Sequence, residues 1–353
     1  MKKVVLLAPT PPPASGIASW TVRMLNCGLG DSWEPVVVDE KVIGKRGVFA
    51  HSRRNMIEET KRTLTIWNDL KRQLRDPDVK IVQSCIPPST YAMLREYRCM
   101  QLAHQAGKKY IIHYRSTLPN YVKPGINETV YKRLSQKADM VFVLNGPSAE
   151  MVEKTVGKKY KLIPNFIEAD AIRKDRVNIS PRLSRIVYVG GVTPSKGCDL
   201  LIESARVLGD IEFRLVGGIK DSILKMDIPS NVTLVGELDK KGVVEELERA
   251  DIFAFLSRFP GEGFSNALLE AMANGLPCIV TNWAANADMV TDCVCGRVLR
   301  ENTIECFVEA INSLRSPDVR REMSAACISR AENHYSGKKV IRQYVDAYEE
   351  LMK

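Results

Sequence analysis

Apolar positions along the chain fall into two alternating rhythms. Short runs such as KKVVLLAP (2–9), EPVVVDE (34–40), VKIVQSC (79–85), KKYIIHYR (108–115), ADMVFVLNG (138–146) and YKLIPNF (160–166) are continuous or nearly so, the mark of strands buried on both faces. Between them SWTVRMLNCGL (19–29) and NMIEETKRTLTIWNDLKRQL (55–74) place apolar residues three and four apart, which predicts amphipathic helices. The rhythm restarts after residue 183. SRIVYVGG, IEFRLVGG, NVTLVGEL, DIFAFLS and LPCIVTN read as strands; CDLLIESARVL, VVEELERA and ALLEAMANG read as helices. Two blocks of alternating strands and helices predict two α/β domains, each a parallel sheet with helices on both faces.

The expected division is a first domain over 1–168, a polar linker over 169–183 that lacks strong periodicity, a second domain over 184–335, and a helix over 336–353. In that last helix Val340, Tyr344, Ala347, Tyr348 and Leu351 form one apolar stripe. It packs on its own domain or reaches back to the first.

Length changes little here: 353 residues suit two domains. The apolar run Val4–Ala8 is shorter than the ~7–15 residues of a secretory core, and no run approaches the ~18 of a membrane span. It is expected to be a first buried strand. Nine cysteines without a C-x-x-C are expected to be reduced thiols of a cytoplasmic protein. The sequons at Asn127, Asn178 and Asn231 are then chance matches. Charge is more informative. Residues 1–173 hold 28 Lys and Arg against 16 Asp and Glu, a balance of +12, and the remainder holds 23 against 26, a balance of −3. A basic half suits an acidic partner: anionic headgroups at a membrane surface, a phosphorylated acceptor or nucleic acid. Ordinary solvated lysines explain the balance equally well. No interleaved aromatic and basic motif and no helix-turn-helix pattern favours nucleic acid.

The chemistry concentrates in SRFPGEGFSNALLEAMANGLP (257–277). Pro260, Gly261 and Gly263 forbid a helix there. Ser265 or Asn266 is a good N-cap, Ala267–Ala273 are helix formers, and Asn274–Gly275 followed by Pro277 ends the helix. Glu262 therefore sits on a glycine-rich loop ahead of a helix, and Glu270 about one turn inside it. A helix N-terminus attracts phosphate. With a diphosphate there, Glu262 could reach what hangs from one side and Glu270 what hangs from the other, carboxylates being good acceptors for sugar hydroxyls. A nucleoside diphosphate sugar has that layout.

This segment resembles the E-x7-E signature of retaining glycosyltransferases of the GT-B fold, in particular glycosyltransferase family 4. RIVYVGGVTPSKGCDLLIESARVL, LVGG, VTLVGEL and ADIFAFLSRFPGEGFSNALLEAMANGLPCIVTN follow in the family's order, and YVDAYEEL is similar to its closing helix. The resemblance implies two Rossmann-like domains facing a cleft. It implies that Glu262 binds hydroxyls of the donor hexose and Glu270 the ribose. Gly263, Phe264, Ser265 and Asn266 would offer backbone amides, and Lys196 would neutralise the leaving diphosphate. Gly217 would let backbone approach the nucleotide, and the Val235–Gly236–Leu238 turn would cup the base. In the first domain Gly16 and Ile17 would approach the phosphate, and His113, at the end of a predicted strand, would meet the donor sugar near the reacting carbon. Charge on the departing phosphate would then be met by a fixed cation and helix amides, without a metal or other cofactor.

The chain departs from the family at Gly191, where an Arg usually stands five residues before the lysine. Arg258 and Arg115 are the two candidates to replace that cation. The expected partners are a UDP- or GDP-sugar and a glycan or lipid-linked acceptor, with peripheral membrane contact through the basic half and no nucleic acid. Two other readings stay open: a GT-B sugar-nucleotide epimerase or phosphorylase, and a nucleotide-sugar-binding protein without transfer. The Asp76–Pro77–Asp78 triplet, which imitates a metal-binding D-x-D, is expected to be a turn.

Overall fold

The computed structural model describes residues 1–13, 15–42, 55–176 and 179–353. The chain divides into two units, Met1–Phe166 with Gly337–Lys353, and Ile167–Ser336. Each holds one six-stranded parallel sheet.

In the first unit the strands are β1 (Lys2–Ala8), β2 (Trp33–Asp39), β3 (Val79–Ile86), β4 (Lys109–Tyr114), β5 (Met140–Val143) and β6 (Tyr160–Leu162), ordered β2-β1-β3-β4-β5-β6. Its longer helices are α1 (Gly16–Cys27), α2 (Met56–Gln73), α3 (Thr90–Gln105), α4 (Ile126–Lys137) and α5 (Gly146–Val156). Strand side chains alternate faces, so each strand feeds two cores. Val5, Leu7, Val82 and Ile112 pack under α2–α5. Val4, Leu6, Ile81 and Ile111 pack with Trp20 of α1 on the other face. The closing helix, α11 (Gly337–Leu351), completes that second face. Its Val340, Tyr344, Ala347 and Tyr348 are buried against Trp20, Trp33 and Phe142. Tyr348 Oη donates to Gln83 Oε1 at 2.7 Å, and Glu349 takes Lys2 Nζ at 2.7 Å and Trp33 Nε1 at 2.6 Å. Each of the larger side chains buried this way stabilises the unit by roughly 1.5–3 kcal/mol.

The second unit contains β7 (Arg185–Val189), β8 (Glu212–Val216), β9 (Val232–Gly236), β10 (Ile252–Phe255), β11 (Cys278–Thr281) and β12 (Gly296–Leu299), ordered β9-β8-β7-β10-β11-β12. The helices of eight residues or more are α6 (Cys198–Val207), α7 (Lys240–Arg249), α8 (Asn266–Ala273), α9 (Ile304–Ser313) and α10 (Pro317–Tyr335). Residues 167–176, much of the stretch expected to be a linker, belong to this unit. Arg173 N bonds Ala273 O at 3.0 Å, and the Arg176 guanidinium caps the carbonyls of Leu247, Glu248, Ala250 and Asn274. An arginine that ties down five-donor geometry on carbonyls looks, in sequence, like linker charge.

The remaining small expectations resolve simply. Asp76 Oδ1 accepts from Asp78 N at 2.8 Å, an Asx turn between α2 and β3. All nine cysteines are free. Asn127 and Asn231 turn their amides onto backbone carbonyls of Pro88 and of Ala205, Leu208 and Ile211, whereas Asn178 lies outside the described residues.

One polar knot lies inside the first unit. Arg95 of α3 joins Glu40 at 2.7 Å and Glu96 at 2.8 Å, and Tyr110 Oη donates to Glu96 at 3.1 Å. Burial pushes the Glu40 carboxyl up to about 8; the neighbouring Arg95 opposes this and the Glu96 carboxylate adds to it. The folded state thus holds a proton on Glu40 that the unfolded chain releases near pH 4.5. The unfolded state binds fewer protons between those values, so stability falls as pH rises from about 4.5 to about 8 and levels off above. Glu40→Gln keeps the neutral form at every pH. Denaturant melts across this range are expected to lose on the order of a few kcal/mol with rising pH in the native chain and far less in the variant. Parallel curves for the two proteins would refute the assignment.

Candidate functional site

Read from its first strand, the second sheet has the order 3-2-1-4-5-6, and its strand order reverses between β7 and β10. Open parallel sheets bind ligands outside the carboxyl ends of the strands at that reversal. Two loops leave the sheet there, 190–197 after β7 and 256–265 after β10.

The first loop carries Thr193, whose Oγ1 accepts from Lys196 N at 3.3 Å and closes a short turn over Pro194–Lys196. Gly197 then enters α6 with φ +82°, and a Cβ there would lie 2.2 Å from Leu256 O. Only glycine permits the two loops to press together so closely. Arg258 N donates to Ser195 O at 2.9 Å and fastens them.

The contact brings Lys196 and Glu262 together. Lys196 Nζ pairs with Glu262 Oε2, and Ser257 Oγ donates to the same oxygen at 3.1 Å. Ser257 is held in turn by Thr281 Oγ1, which donates to its carbonyl at 2.6 Å. The lysine ammonium also stands 4.8 Å from the Phe259 ring centroid and 5.7 Å from that of Phe255, an arrangement that favours a cation. Glu262 is 8% exposed. Beyond it Ser265 caps α8, its Oγ accepting from Leu268 N at 3.2 Å. Gly263, Phe264 and Ser265 are buried, Asn266 opens the helix, and Glu270 is half-buried one turn in. Phe264 packs edge-on to Tyr335 at 5.4 Å.

Around this pair three glycines end three neighbouring strands. Gly190 follows β7, Gly217 follows β8 and Gly236 ends β9, with φ of +147°, +134° and +83°. Gly217 N donates to Gly236 O at 2.8 Å, and a Cβ on Gly217 would lie 1.9 Å from Gly190 O. Val235 is half-buried and Leu238 is 38% exposed in the turn that follows.

Gly191 is exposed, and a Cβ there would meet only Thr193 Cγ2 at 3.9 Å. Of the two arginines named as replacements, Arg258 lies on the β10 loop and pairs with Asp199 in the first turn of α6. Arg115 is enclosed in the first unit. Its guanidinium carbon is 4.7 Å from the Trp20 ring, and it donates to Asn165 Oδ1 and to His113 Nε2, the latter at 3.1 Å.

His113, at the end of β4, is fully buried, ringed by Trp20, Phe142 and Tyr344 at 5.9, 5.7 and 6.0 Å. Burial and the adjacent Arg115 hold its imidazole well below the usual histidine range. Because arginine only donates, Nε2 accepts and the proton sits on Nδ1. Gly16 and Ile17 open α1 behind the N-cap Ser15; Gly16 is exposed, with no atom within 4 Å of where a Cβ would stand.

Four participants carried no distinctive signal in the sequence: Ser257, Phe259, Thr281 and Asp199. Serine and phenylalanine beside a proline-glycine turn read as loop filler, and the contacts of Phe259 with Lys196, of Thr281 with Ser257 and of Asp199 with Arg258 span too many residues for any local pattern to announce.

Residues 171–334, nearly all of the second unit, match the family model described as Glycosyl transferases group 1. A phosphatidyl-myo-inositol mannosyltransferase of Mycobacterium leprae is 24% identical over 197 residues, 53% of this chain and 52% of that protein. The UDP-Gal:alpha-D-GlcNAc-diphosphoundecaprenol alpha-1,3-galactosyltransferase of Escherichia coli is 26% identical over 217 residues, 55% of each. The matched chain thus spans about half the length of these curated relatives. Among solved structures, sucrose-phosphate synthase from Thermosynechococcus elongatus superposes with a TM-score of 0.80 over 100% of this chain and 99% of that one, at 16% identity. That likeness shows the fold: an α/β chain of the GT-B architecture.

Proposed function

We propose that the chain is a glycosyltransferase of the retaining, metal-independent kind, family 4 in type, that moves a hexose from a UDP- or GDP-sugar to a hydroxyl of a glycan or lipid-linked acceptor. The observation that carries the reading is the meeting of Lys196 and Glu262 at the strand reversal, just ahead of the capped helix α8. The E. coli relative, by its name, takes UDP-Gal and a diphosphoundecaprenol-linked sugar, which supports this substrate class. The first unit is assigned the acceptor.

In this reading the donor exchanges two internal ion pairs, Lys196–Glu262 and Arg258–Asp199, for two cation–phosphate contacts. Lys196 releases Glu262 and meets the β-phosphate. Glu262 then accepts from hexose hydroxyls, while Glu270 accepts from the ribose. Arg258, drawn from Asp199, supplies the second cation that Gly191 does not. The bond from the anomeric carbon to the phosphate oxygen breaks and its electron pair stays on that oxygen. The acceptor oxygen bonds the anomeric carbon from the same face and passes its proton to the departing phosphate. Preorganised charge at the departing oxygen is worth most where water is excluded.

The test is thermal stabilisation by UDP-, GDP- and ADP-sugars, with Glu270→Ala as control. A ligand at ~100 times its Kd adds about 2.7 kcal/mol, or roughly 5–10 °C for a unit of this size. One base is expected to shift the melt, and the control to lose that shift. No shift with any donor would overturn the reading. Retention is checked by the anomeric coupling of the product in NMR.

A further inference from the structure

We infer, resting on the transfer reading proposed above, that Thr281 and Trp283 at the carboxyl end of β11 are positioning residues for the Lys196–Glu262 pair. They act through Ser257 and Phe259. The strand β10 ends at Phe255, yet the chain beyond it keeps the alternation of a strand, in which neighbouring residues direct their polar groups to opposite sides. Arg258 N donates to Ser195 O at 2.9 Å, toward the loop after β7. The residues on either side of it are held from β11 instead. Thr281 Oγ1 donates to Ser257 O at 2.6 Å, and Trp283 Nε1 donates to Phe259 O at 2.8 Å. Carbonyls two residues apart are met by donors two residues apart. A backbone ladder would supply N–H groups here, but Trp283 N turns back onto Thr281 O at 2.9 Å. Two side chains take its place.

Both held residues reach the ion pair. Ser257 Oγ donates to Glu262 Oε2 at 3.1 Å. Phe259 O accepts from Glu262 N at 3.0 Å, and the Phe259 ring stands 4.8 Å from Lys196 Nζ. Thr281 thus fixes the residue that aims the carboxylate, and Trp283 fixes the carbonyl that holds the same glutamate by its backbone.

The two donors are themselves oriented. Asn286 Nδ2 donates to Thr281 Oγ1 at 3.4 Å, which leaves the hydroxyl proton for Ser257 O. Ser257, Thr281 and Asn286 are all buried, so solvent is not at hand to replace the hydroxyl. After Trp283 the chain passes through Ala284 at φ +54°, a left-handed conformation that a residue other than glycine keeps only where its surroundings impose it. Asn286 N closes that turn on Trp283 O at 3.0 Å. The strained turn and the indole hydrogen bond lie on successive residues, as they would if the backbone were held there to place the indole.

In the transfer reading Lys196 meets phosphate while Glu262 meets the hexose, so their relative position enters the transition state directly. A displacement of about 1 Å at such a centre costs up to about a hundredfold in rate. The nucleotide, proposed to lie against the ends of β7–β9, has no part in this chain of contacts. Loosening it should therefore lower turnover and leave nucleotide affinity alone.

The experiment uses Thr281→Val, which keeps the shape and removes the hydroxyl, Thr281→Ser, which keeps the hydroxyl, and Trp283→Phe, which keeps an aromatic ring and removes the N–H. Transfer rates are measured with the donor that stabilises the native chain, beside the Kd of the matching nucleoside diphosphate. Thr281→Val and Trp283→Phe are each expected to lower kcat by about tenfold to a hundredfold, with the nucleotide Kd within about twofold of native. Thr281→Ser is expected to recover most of the rate. Melts establish that each variant is folded, and Trp283→Phe, at a half-buried position, carries the test if Thr281→Val does not fold. The inference is overturned if both variants turn over within about threefold of native, if nucleotide affinity falls in step with kcat, or if the serine is no better than the valine. A native chain that transfers from no donor would overturn the transfer reading itself, and the inference with it.

Discussion

Lys196→Ala is expected to lower kcat by about a hundredfold to a thousandfold, the cost of removing one preorganised group from developing charge in a water-excluded site. Two loops from opposite sides of the strand reversal hold the lysine, and its ammonium pairs with Glu262. The two side chains are only about one-fifth and one-tenth exposed, so removing the lysine also leaves a largely buried carboxylate without that partner, and a melt beside the kinetics separates this cost from the catalytic one. The larger loss should fall on kcat rather than on KM, because the phosphate gains charge only as the glycosidic bond opens. Glu262→Gln separates the two roles. It leaves the cation in place and weakens acceptance from the hexose hydroxyls, so both sugar discrimination and rate should suffer. Initial rates at saturating donor decide the matter. A Lys196→Ala enzyme within about threefold of native turnover would remove the lysine from the mechanism.

Gly217→Ala is expected to destabilise the second unit by about 3 kcal/mol or more, through backbone strain at φ +134° together with a clash at 1.9 Å on a carbonyl oxygen. Neither side of that contact is a flexible side chain. Gly190 O belongs to the loop after β7, and Gly217 N is itself bonded to Gly236 O. Relief requires the ends of β7 and β8 to part, at the place where the nucleotide is proposed to lie. Melting of the second unit should drop by roughly 6–12 °C, and donor-induced stabilisation should weaken with it. Gly16→Ala is the contrast, since that position has open space and ordinary helical backbone. An unchanged melt for Gly217→Ala would show that the strand ends yield more easily than their geometry implies.

Much of the second unit was legible because local chemistry and tertiary role coincide there. Ser265 caps the helix it precedes in sequence, Gly275 ends it, and the buried runs became β7–β12. The contact between Lys196 and Glu262, which joins residues 66 apart, was not legible. The first unit was harder. Arg95 and Glu96 look like a solvated charge pair on a helix, yet both are buried because Glu40, just past β2, and Tyr110 of β4 complete their polar contacts. The end of β4 at His113 is legible as a strand end, whereas the face its side chain takes, with Trp20 and Phe142, is not. Which of two faces a strand residue takes depends on register, and a run apolar on both faces does not disclose it. The stretch after residue 168 shows the same limit: the charge on Arg176 reads as solvent-facing until the carbonyls of Leu247, Glu248, Ala250 and Asn274 that receive it are in view.

The closing helix makes the first unit discontinuous in sequence, and this sets an order on biosynthesis. Residues 1–166 emerge first, but one face of their sheet lacks Val340, Tyr344 and Tyr348 until the last stretch of chain appears. Meanwhile the whole of 167–336 is synthesised and holds everything its own core requires. The unit that starts first therefore finishes last, waiting with Trp20, Trp33 and Phe142 uncovered through the translation of a complete second domain. At about 5–20 residues per second that interval is on the order of ten to thirty seconds, during which a nascent chain exposes aromatic surface to whatever holds unfinished proteins apart.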